Sequence, residues 1–127
     1  VVCYNPMAKG LLTGGFTPER AASLPDNDHR RRDPDFQPSW LEVNLRAVER
    51  VAPIAEAMDR PLEQLPIAWT LRRPEVTSAI VGVRNRRHAE QAAGAGDWAL
   101  TEEELAVIDR ALDERRVALE GGSASQR

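Results

Sequence analysis

Apolar and polar positions follow different rhythms along the chain, and the changes of rhythm divide it into elements. It opens on VVCY (residues 1–4), a short apolar run that predicts a strand, and passes into NPMAKGLLTGG, where Asn5, Pro6, Gly10, Gly14 and Gly15 break regular structure. Residues 16–38 show no periodicity; four prolines and many charges predict a long surface excursion with a helical turn near residues 18–22. Leu41, Leu45, Val48, Val51, Ile54, Ala55 and Met58 then recur at three- and four-residue spacing. They predict an amphipathic helix of about 20 residues, with Ser39 as N-cap and a bend at Pro53. A second helix is predicted over PLEQLPIAWTLRR, with Pro61 in its first turn, Pro66 as an irregularity, and Leu62, Leu65, Ala68, Trp69 and Leu71 facing inward. Arg72 and Arg73 suit its C-terminus, and Pro74 stops it.

VTSAIVGV (residues 76–83) is β-branched and apolar on both faces, the pattern of a strand in a parallel sheet covered on both sides. NRRHAEQAAGAG reads as a short helix ending in glycines. Thr101 and Glu104 form a capping box ahead of LAVIDRALDERR, where Leu105, Ile108, Ala111 and Leu112 make one stripe. The boundary of the folded domain is predicted at residue 115, with 116–127 a flexible tail closing on GGSASQR. The order strand, helix, helix, strand, helix, helix is α/β. Two strands do not make a doubly covered sheet, and helices with this much apolar face need more sheet to pack on. The chain therefore reads as part of a larger α/β protein, an expectation that its start on Val1 without a methionine strengthens. A compact, helix-rich small domain is the competing expectation.

Hydrophobic residues at 42% and charged residues at 29% exclude a disordered polymer. A net charge of −3 gives no general attraction to nucleic acid or anionic membrane, so an anion site has to be local. The cationic run Arg84, Arg86, Arg87, His88 is the local exception. Cys3, the one cysteine, rules out an internal disulfide and, sitting in an apolar run, is expected to be a buried, inert thiol rather than a reactive one. His29 and His88 lie too far apart to form a metal motif, and no metal site is expected. Neither a membrane-length apolar stretch nor a signal-type segment is present in the sequence, so the expected address is cytoplasmic. Arg30, Arg31 and Arg32, bracketed by Asp28 and Asp33 without aromatic interleaving, read as loop residues making ion pairs rather than as a nucleic-acid contact. Trp40, Trp69 and Trp98 are expected at helix–sheet contacts.

Four ordered blocks carry a resemblance. YNPMAKGLLTGGF resembles the seventh-strand signature of the aldo-keto reductases, departing from it at Asn5 and Met7. DHRRRDPDFQ followed by Asn44 resembles a stretch common in the family's bacterial branches. LPIAWTLRRPEVTSAIVGVRN resembles its helix 7, strand 8 and following loop, and WALTEEELAVIDRAL its C-terminal helix. The resemblance implies a (β/α)8 TIM barrel of which this chain is the C-terminal portion, strands 7 and 8 with their helices, an incomplete barrel. It also implies reduction of an aldehyde or ketone by hydride transfer from NADPH, with a small-molecule carbonyl substrate and neither nucleic acid nor membrane as partner. The family's catalytic tyrosine, lysine, aspartate and histidine belong to the N-terminal half of such a barrel. None falls on this chain, so it is expected to be inactive alone, as the cofactor-clamping part of the enzyme. A catalytically silent nucleotide-binding or regulatory member, or an inactive truncated product, is the alternative.

In parallel barrels ligands gather at the C-terminal strand ends, and phosphates are commonly held after strands 7 and 8. By the resemblance, Tyr4 stacks on the nicotinamide, and Asn5, Met7, Lys9, Gly10 and Leu12 wrap the pyrophosphate, Lys9 adding charge. Gly82 permits a tight exit from the second strand, and Val83 and Arg84 present N–H groups and a guanidinium beside a helix N-terminus, a setting suited to an anion. The resemblance puts the adenosine 2′-phosphate there, with Arg84 its main contact and Asn85 the N-cap or a secondary ligand. His88 stands at the family's glutamine or arginine position and Gln91 at its glutamate near the adenine. Ala92 departs from the usual asparagine. Arg86 and Arg87 are expected to face water.

Overall fold

The computed structural model describes residues 1–125. Two strands, β1 (Val2–Tyr4) and β2 (Ser78–Ile80), lie parallel with Val2 opposite Ser78, Cys3 opposite Ala79 and Tyr4 opposite Ile80. Hydrogen bonds from Thr77 N–H to the Val1 carbonyl (2.7 Å) and from the Val1 ammonium to the Glu75 carbonyl (2.8 Å) extend the pairing at its start. The second strand is thus shorter than its apolar run. Val2, Tyr4, Ile80 and Val83 are exposed, whereas the run predicts cover on both faces. One ladder of two strands buries only the Cys3 and Ala79 positions in part, because no further strand flanks it among the described residues.

Between the strands come a 3-10 turn (Ala8–Thr13), α1 (Pro18–Ala22), two further 3-10 turns (His29–Arg32 and Pro34–Phe36), α2 (Pro38–Ala57) and α3 (Gln64–Leu71). After β2 follow α4 (Arg86–Gly94), a 3-10 turn (Ala95–Asp97) and α5 (Glu102–Ser125). The helix predicted from Leu41 onward is α2, and it runs through Pro53. Its N-cap is Gln37, not Ser39. Pro38 takes the first helical position, where its missing N–H costs nothing, and holds Gln37 extended (φ −76°, ψ 149°). Leu41, Val48, Ile54 and Ala55 are buried as expected, but Met58, at the C-cap, is 46% exposed. Asn44, polar within the stripe, is buried at 2% exposure.

Ile54 and Ala55 of α2 pack with Leu65 and Ala68 of α3, Ile108 of α5 and Trp98, which follows the Ala95–Asp97 turn, in one core cluster. Trp98, and Trp69 packed at the cluster's edge, therefore sit among helices rather than against a sheet, a correction to the expected helix–sheet packing. A second cluster, Leu11, Phe16, Leu24, Phe36 and Leu41, lies under the long loop, with Phe16 and Phe36 edge to face at 5.0 Å. That loop was expected to be a surface excursion; its own apolar nucleus makes it a packed element. Gly14 ends the first 3-10 turn at φ 81°, a left-handed backbone that favours glycine, and a Cβ there would lie 2.9 Å from Leu62 Cδ2 and push that side chain aside.

The capping box forms as predicted. Thr101 N–H donates to Glu104 Oε2 (2.9 Å) and Glu104 N–H to Thr101 Oγ1 (3.1 Å). The expected boundary at residue 115 does not end the helix, which continues to Ser125. Arg116 pairs with Asp113 and Glu120 on successive turns and supports this extension. Gln126 and Arg127 of the expected tail lie outside the described residues.

Candidate functional site

Because β1 and β2 run parallel, both end on the same side, and the loops leaving them meet across a cleft of about 660 Å3. The loop after β1 supplies Asn5, Met7, Lys9 and Gly10; the loop after β2 supplies Gly82, Val83 and Arg84, and α4 adds His88 and Ala92. A third wall comes from the long loop and α3, through Phe16, Arg20, Asp28, His29, Arg30, Glu63 and Ile67. Nothing in the sequence pattern marks that wall, because it depends on packing between residues far apart in the chain.

The first wall has an uncommon backbone. Asn5 (φ 56°), Ala8 (φ 49°), Lys9 (φ 59°) and Gly10 (φ 93°) are all left-handed, a conformation that costs a non-glycine residue roughly 1–2 kcal/mol. Asn5 offsets part of this by accepting the Lys9 N–H through Oδ1 at 2.9 Å. The Ala8 and Gly10 N–H groups donate to the carbonyls of Asn5 and Met7, both at 3.1 Å. Strain held this way beside a cleft points to a functional loop. The Ala8, Lys9 and Gly10 N–H groups are already donated inward, however, and the Lys9 ammonium is paired with the Asp33 carboxylate. This wall therefore offers shape rather than free charge.

The second wall differs. Gly82 is not left-handed, and a Cβ there would meet nothing within 4 Å, so the strand exit does not require glycine; the missing side chain leaves the cleft open at that point. Asn85 is extended (φ −155°) and caps α4, its Oδ1 accepting the His88 N–H at 2.9 Å. Arg86 pairs with Glu90 through Nε at 2.7 Å, and both it and Arg87 are exposed, as expected. Lys9 and Arg30 are ion-paired, and the Arg20 guanidinium donates to the Gly15 carbonyl at 3.4 Å and lies over the Phe16 ring at 5.5 Å. Among the described residues Arg84 is left with neither an ion pair nor a hydrogen bond, at the mouth of a capped helix.

Three residues expected at the site are not brought into the cleft. Tyr4 ends β1 and is 81% exposed. Leu12 turns to a separate apolar cavity of about 240 Å3 beside Val48 and Leu62. Gln91 does not line the cleft, and its backbone carbonyl accepts Gln64 Nε2 of α3 at 2.8 Å. His88 and Ala92, one helical turn apart, occupy the cleft side of α4 instead.

Arg30 holds the third wall by hydrogen bonds to the Asp28 carboxylate (Nε to Oδ1 at 3.0 Å and to Oδ2 at 3.3 Å, Nη2 to Oδ2 at 2.6 Å), a bond to the Lys9 carbonyl at 3.3 Å, and stacking over Phe16 at 5.7 Å. The guanidinium and the Arg30 N–H keep the Asp28 carboxyl well below the usual carboxylate range. The Lys9 ammonium lowers Asp33 in the same way. Both carboxyls have folded-state values depressed below their unfolded ones. Their contribution is therefore complete above the unfolded value of about 3.9 and is lost as pH falls through the depressed folded values. Amide exchange in residues 28–35 is expected to show constant opening free energy from neutral pH to about 5, with protection declining only below about 4. Carboxyl carbon titrations should place Asp28 and Asp33 below free aspartate; ordinary midpoints would show that these ties are absent in solution.

Among the described residues no cluster of three or more His, Cys, Asp or Glu is placed to hold a metal, and no helix is long and apolar enough to cross a membrane. The sequence profile of the aldo/keto reductase family matches residues 1–113. Aldo-keto reductase yakc [NADP(+)] of Schizosaccharomyces pombe is 30% identical over 117 residues, which cover 92% of this chain and 34% of the relative. L-glyceraldehyde 3-phosphate reductase of Escherichia coli O157:H7 is 27% identical over 86% of this chain and 32% of the relative. The structure of a glycerol dehydrogenase from Gluconobacter oxydans matches with a TM-score of 0.81 at 29% identity, covering 91% of this chain and 34% of that one. The chain thus spans about a third of the length of these relatives. Its two parallel strands and their helices are the strand 7 to strand 8 portion of a (β/α)8 barrel, the remaining strands having no counterpart among the described residues. On the profile match and the fold together, this chain belongs to the aldo/keto reductase family.

Proposed function

We propose that this segment is the cofactor-holding part of an NADPH-dependent reductase of aldehydes or ketones, acting with the rest of the barrel. The observation that carries the proposal is the convergence of the two strand-end loops on one cleft whose second wall presents Arg84 unpaired beside the α4 N-terminus. An arginine fork and unpaired helical N–H groups suit a phosphate monoester, and the adenosine 2′-phosphate is what distinguishes NADPH from NADH. A cleft of about 660 Å3 is also within the ordinary range for ligand sites.

The residues present fit such a cofactor unequally. Arg84, with Asn85 fixing the start of α4, holds the 2′-phosphate. The strained loop at Asn5, Met7 and Gly10 shapes the pyrophosphate channel by backbone contour. The exposed Tyr4 ring, at the end of β1, offers a stacking face for the nicotinamide. Lys9 reaches a phosphate only by leaving Asp33, so its charge is shared between the two. When bound, NADPH supplies the hydride; this chain's own part is to bind and orient. None of its residues is assigned proton donation to the carbonyl oxygen, and the catalytic groups are assigned to the rest of the barrel.

Fluorescence titration of the complete gene product with NADPH and NADH tests the assignment. NADPH is expected to bind at least about tenfold more tightly, a difference of about 1.4 kcal/mol. Equal affinity for the two, or no binding of either, would remove the 2′-phosphate assignment.

A further inference from the structure

The first wall of the cleft is tied to a residue far from it. Lys9 pairs with Asp33, and the free oxygen of that carboxylate, Oδ1, accepts the Asp35 N–H at 3.0 Å. Asp35 in turn accepts from Arg115 Nη2 through Oδ1 at 3.3 Å, and its carbonyl accepts Asn44 Nδ2 at 3.0 Å. Asn44 closes the circuit, its Oδ1 accepting Arg115 Nε at 2.6 Å. A continuous set of hydrogen bonds therefore joins α5 to the left-handed loop after β1.

The segment bearing Asp33 and Asp35 has only two short 3-10 turns and no ladder, so its own backbone does little to fix its position. Phe36 anchors it by burial, and the polar ties orient it. Arg115 stands 80 residues from Asp35 and 71 from Asn44, so it fixes the segment against the helices rather than locally. Asn44 makes that tie stringent. At 2% exposure Asn44 is buried, and loss of Arg115 removes the partner of its Oδ1 acceptor.

We infer that Arg115 is a positioning residue for the cleft: through Asn44 and Asp35 it holds Asp33, and thereby Lys9 and the loop at residues 5–10, in the arrangement that forms the first wall. The inference rests on the cofactor reading of the cleft for its consequence in binding, but not for the coupling itself. Arg115 touches no cleft residue directly, so its removal should alter cofactor binding and leave the chemical step alone.

The test compares Arg115→Met, Arg115→Lys and the same-helix control Arg116→Ala in the complete gene product. Arg115→Met is expected to raise the NADPH dissociation constant about three- to tenfold, with kcat and the KM for the carbonyl substrate within about twofold. Arg115→Lys should recover part of the loss, and Arg116→Ala should change none of these. In parallel, amide exchange at residues 5–10 and 28–35 should accelerate in Arg115→Met; unchanged exchange there would overturn the coupling whether or not NADPH binds. Wild-type protein that binds no NADPH would instead overturn the cofactor reading. If Arg115→Met does not fold, Asp35→Ala carries the test, since it removes the side-chain acceptor of Arg115 Nη2 but keeps the Asp35 N–H and carbonyl bonds. Unchanged NADPH affinity and exchange in Asp35→Ala would then overturn the inference.

Discussion

Replacing Arg84 by alanine is expected to weaken NADPH binding about ten- to hundredfold while changing NADH binding less than about threefold, because a charge-assisted hydrogen bond contributes roughly 1.5–3 kcal/mol. The asymmetry between cofactors is the informative part. Arg84 is exposed and unpaired among the described residues, so its removal breaks no internal contact and leaves no buried group behind. Any loss should then belong to the ligand and depend on the 2′-phosphate. Arg84→Lys keeps the charge without the planar fork and should fall between alanine and wild type. Since the contact is solvent-exposed, the preference for NADPH should narrow as salt rises. Arg86→Ala and Arg87→Ala serve as neighbours for comparison. Arg86 is paired with Glu90, neither lines the cleft, and each should shift NADPH affinity less than about twofold. Paired titrations of NADPH and NADH at two salt concentrations decide the matter. Equal losses for both cofactors in Arg84→Ala would place the guanidinium elsewhere than on the 2′-phosphate.

Local interactions in the chain were legible and distant ones were not. The α2 stripe, the Thr101 and Glu104 capping box and the Asn85 cap each involve residues within a turn or two, so spacing alone carries them. The N-cap of α2 was misassigned because serine at position 39 is an intrinsically good cap, whereas Pro38 decides the boundary through its fixed φ. The apolar run at residues 76–83 signals a covered strand, but cover is a property of the whole sheet, and here one neighbour gives a ladder of three residues. The candidate site divides along the same line. Gly10 and Arg84 follow the two strands, where parallel topology brings the loops together on one cleft, so their neighbourhood follows from motif and topology. In the third wall the Arg30 guanidinium crosses the long loop to lie over the Phe16 ring. No spacing rule connects them. Lys9 shows the same limit, since a lysine in a glycine loop reads as a free cation until Asp33, 24 residues on, is seen to claim it.

Trp98→Ala is expected to destabilise the fold by about 3–5 kcal/mol, and Trp98→Phe by no more than about 1.5 kcal/mol. Trp98 is 6% exposed and packs in the cluster shared by α2, α3 and α5, so alanine leaves a large cavity where three helices meet. It also removes the ring beneath the Arg60 guanidinium, 5.2 Å from its centroid. Arg60 donates to the Gly94 carbonyl and to Gln64 Oε1, both at 3.0 Å, and Gln64 donates to the Gln91 carbonyl at 2.8 Å. These bonds dock the C-terminal half of α4 onto α3, so the alanine variant should loosen the helix whose other end presents Arg84. Phenylalanine keeps most of the apolar area and the stacking face. It also deletes Nε1, which is buried without a hydrogen-bond partner among the described residues, and relief of that unmet donor, worth roughly 1–3 kcal/mol, offsets part of the lost volume. Urea unfolding of the two variants separates these contributions. The midpoint should fall steeply for Trp98→Ala and little for Trp98→Phe, with the slope unchanged in both. A phenylalanine variant as unstable as the alanine one would mean that the indole N–H is satisfied in solution and that the polar end of Trp98, not its bulk, holds α4 to the core.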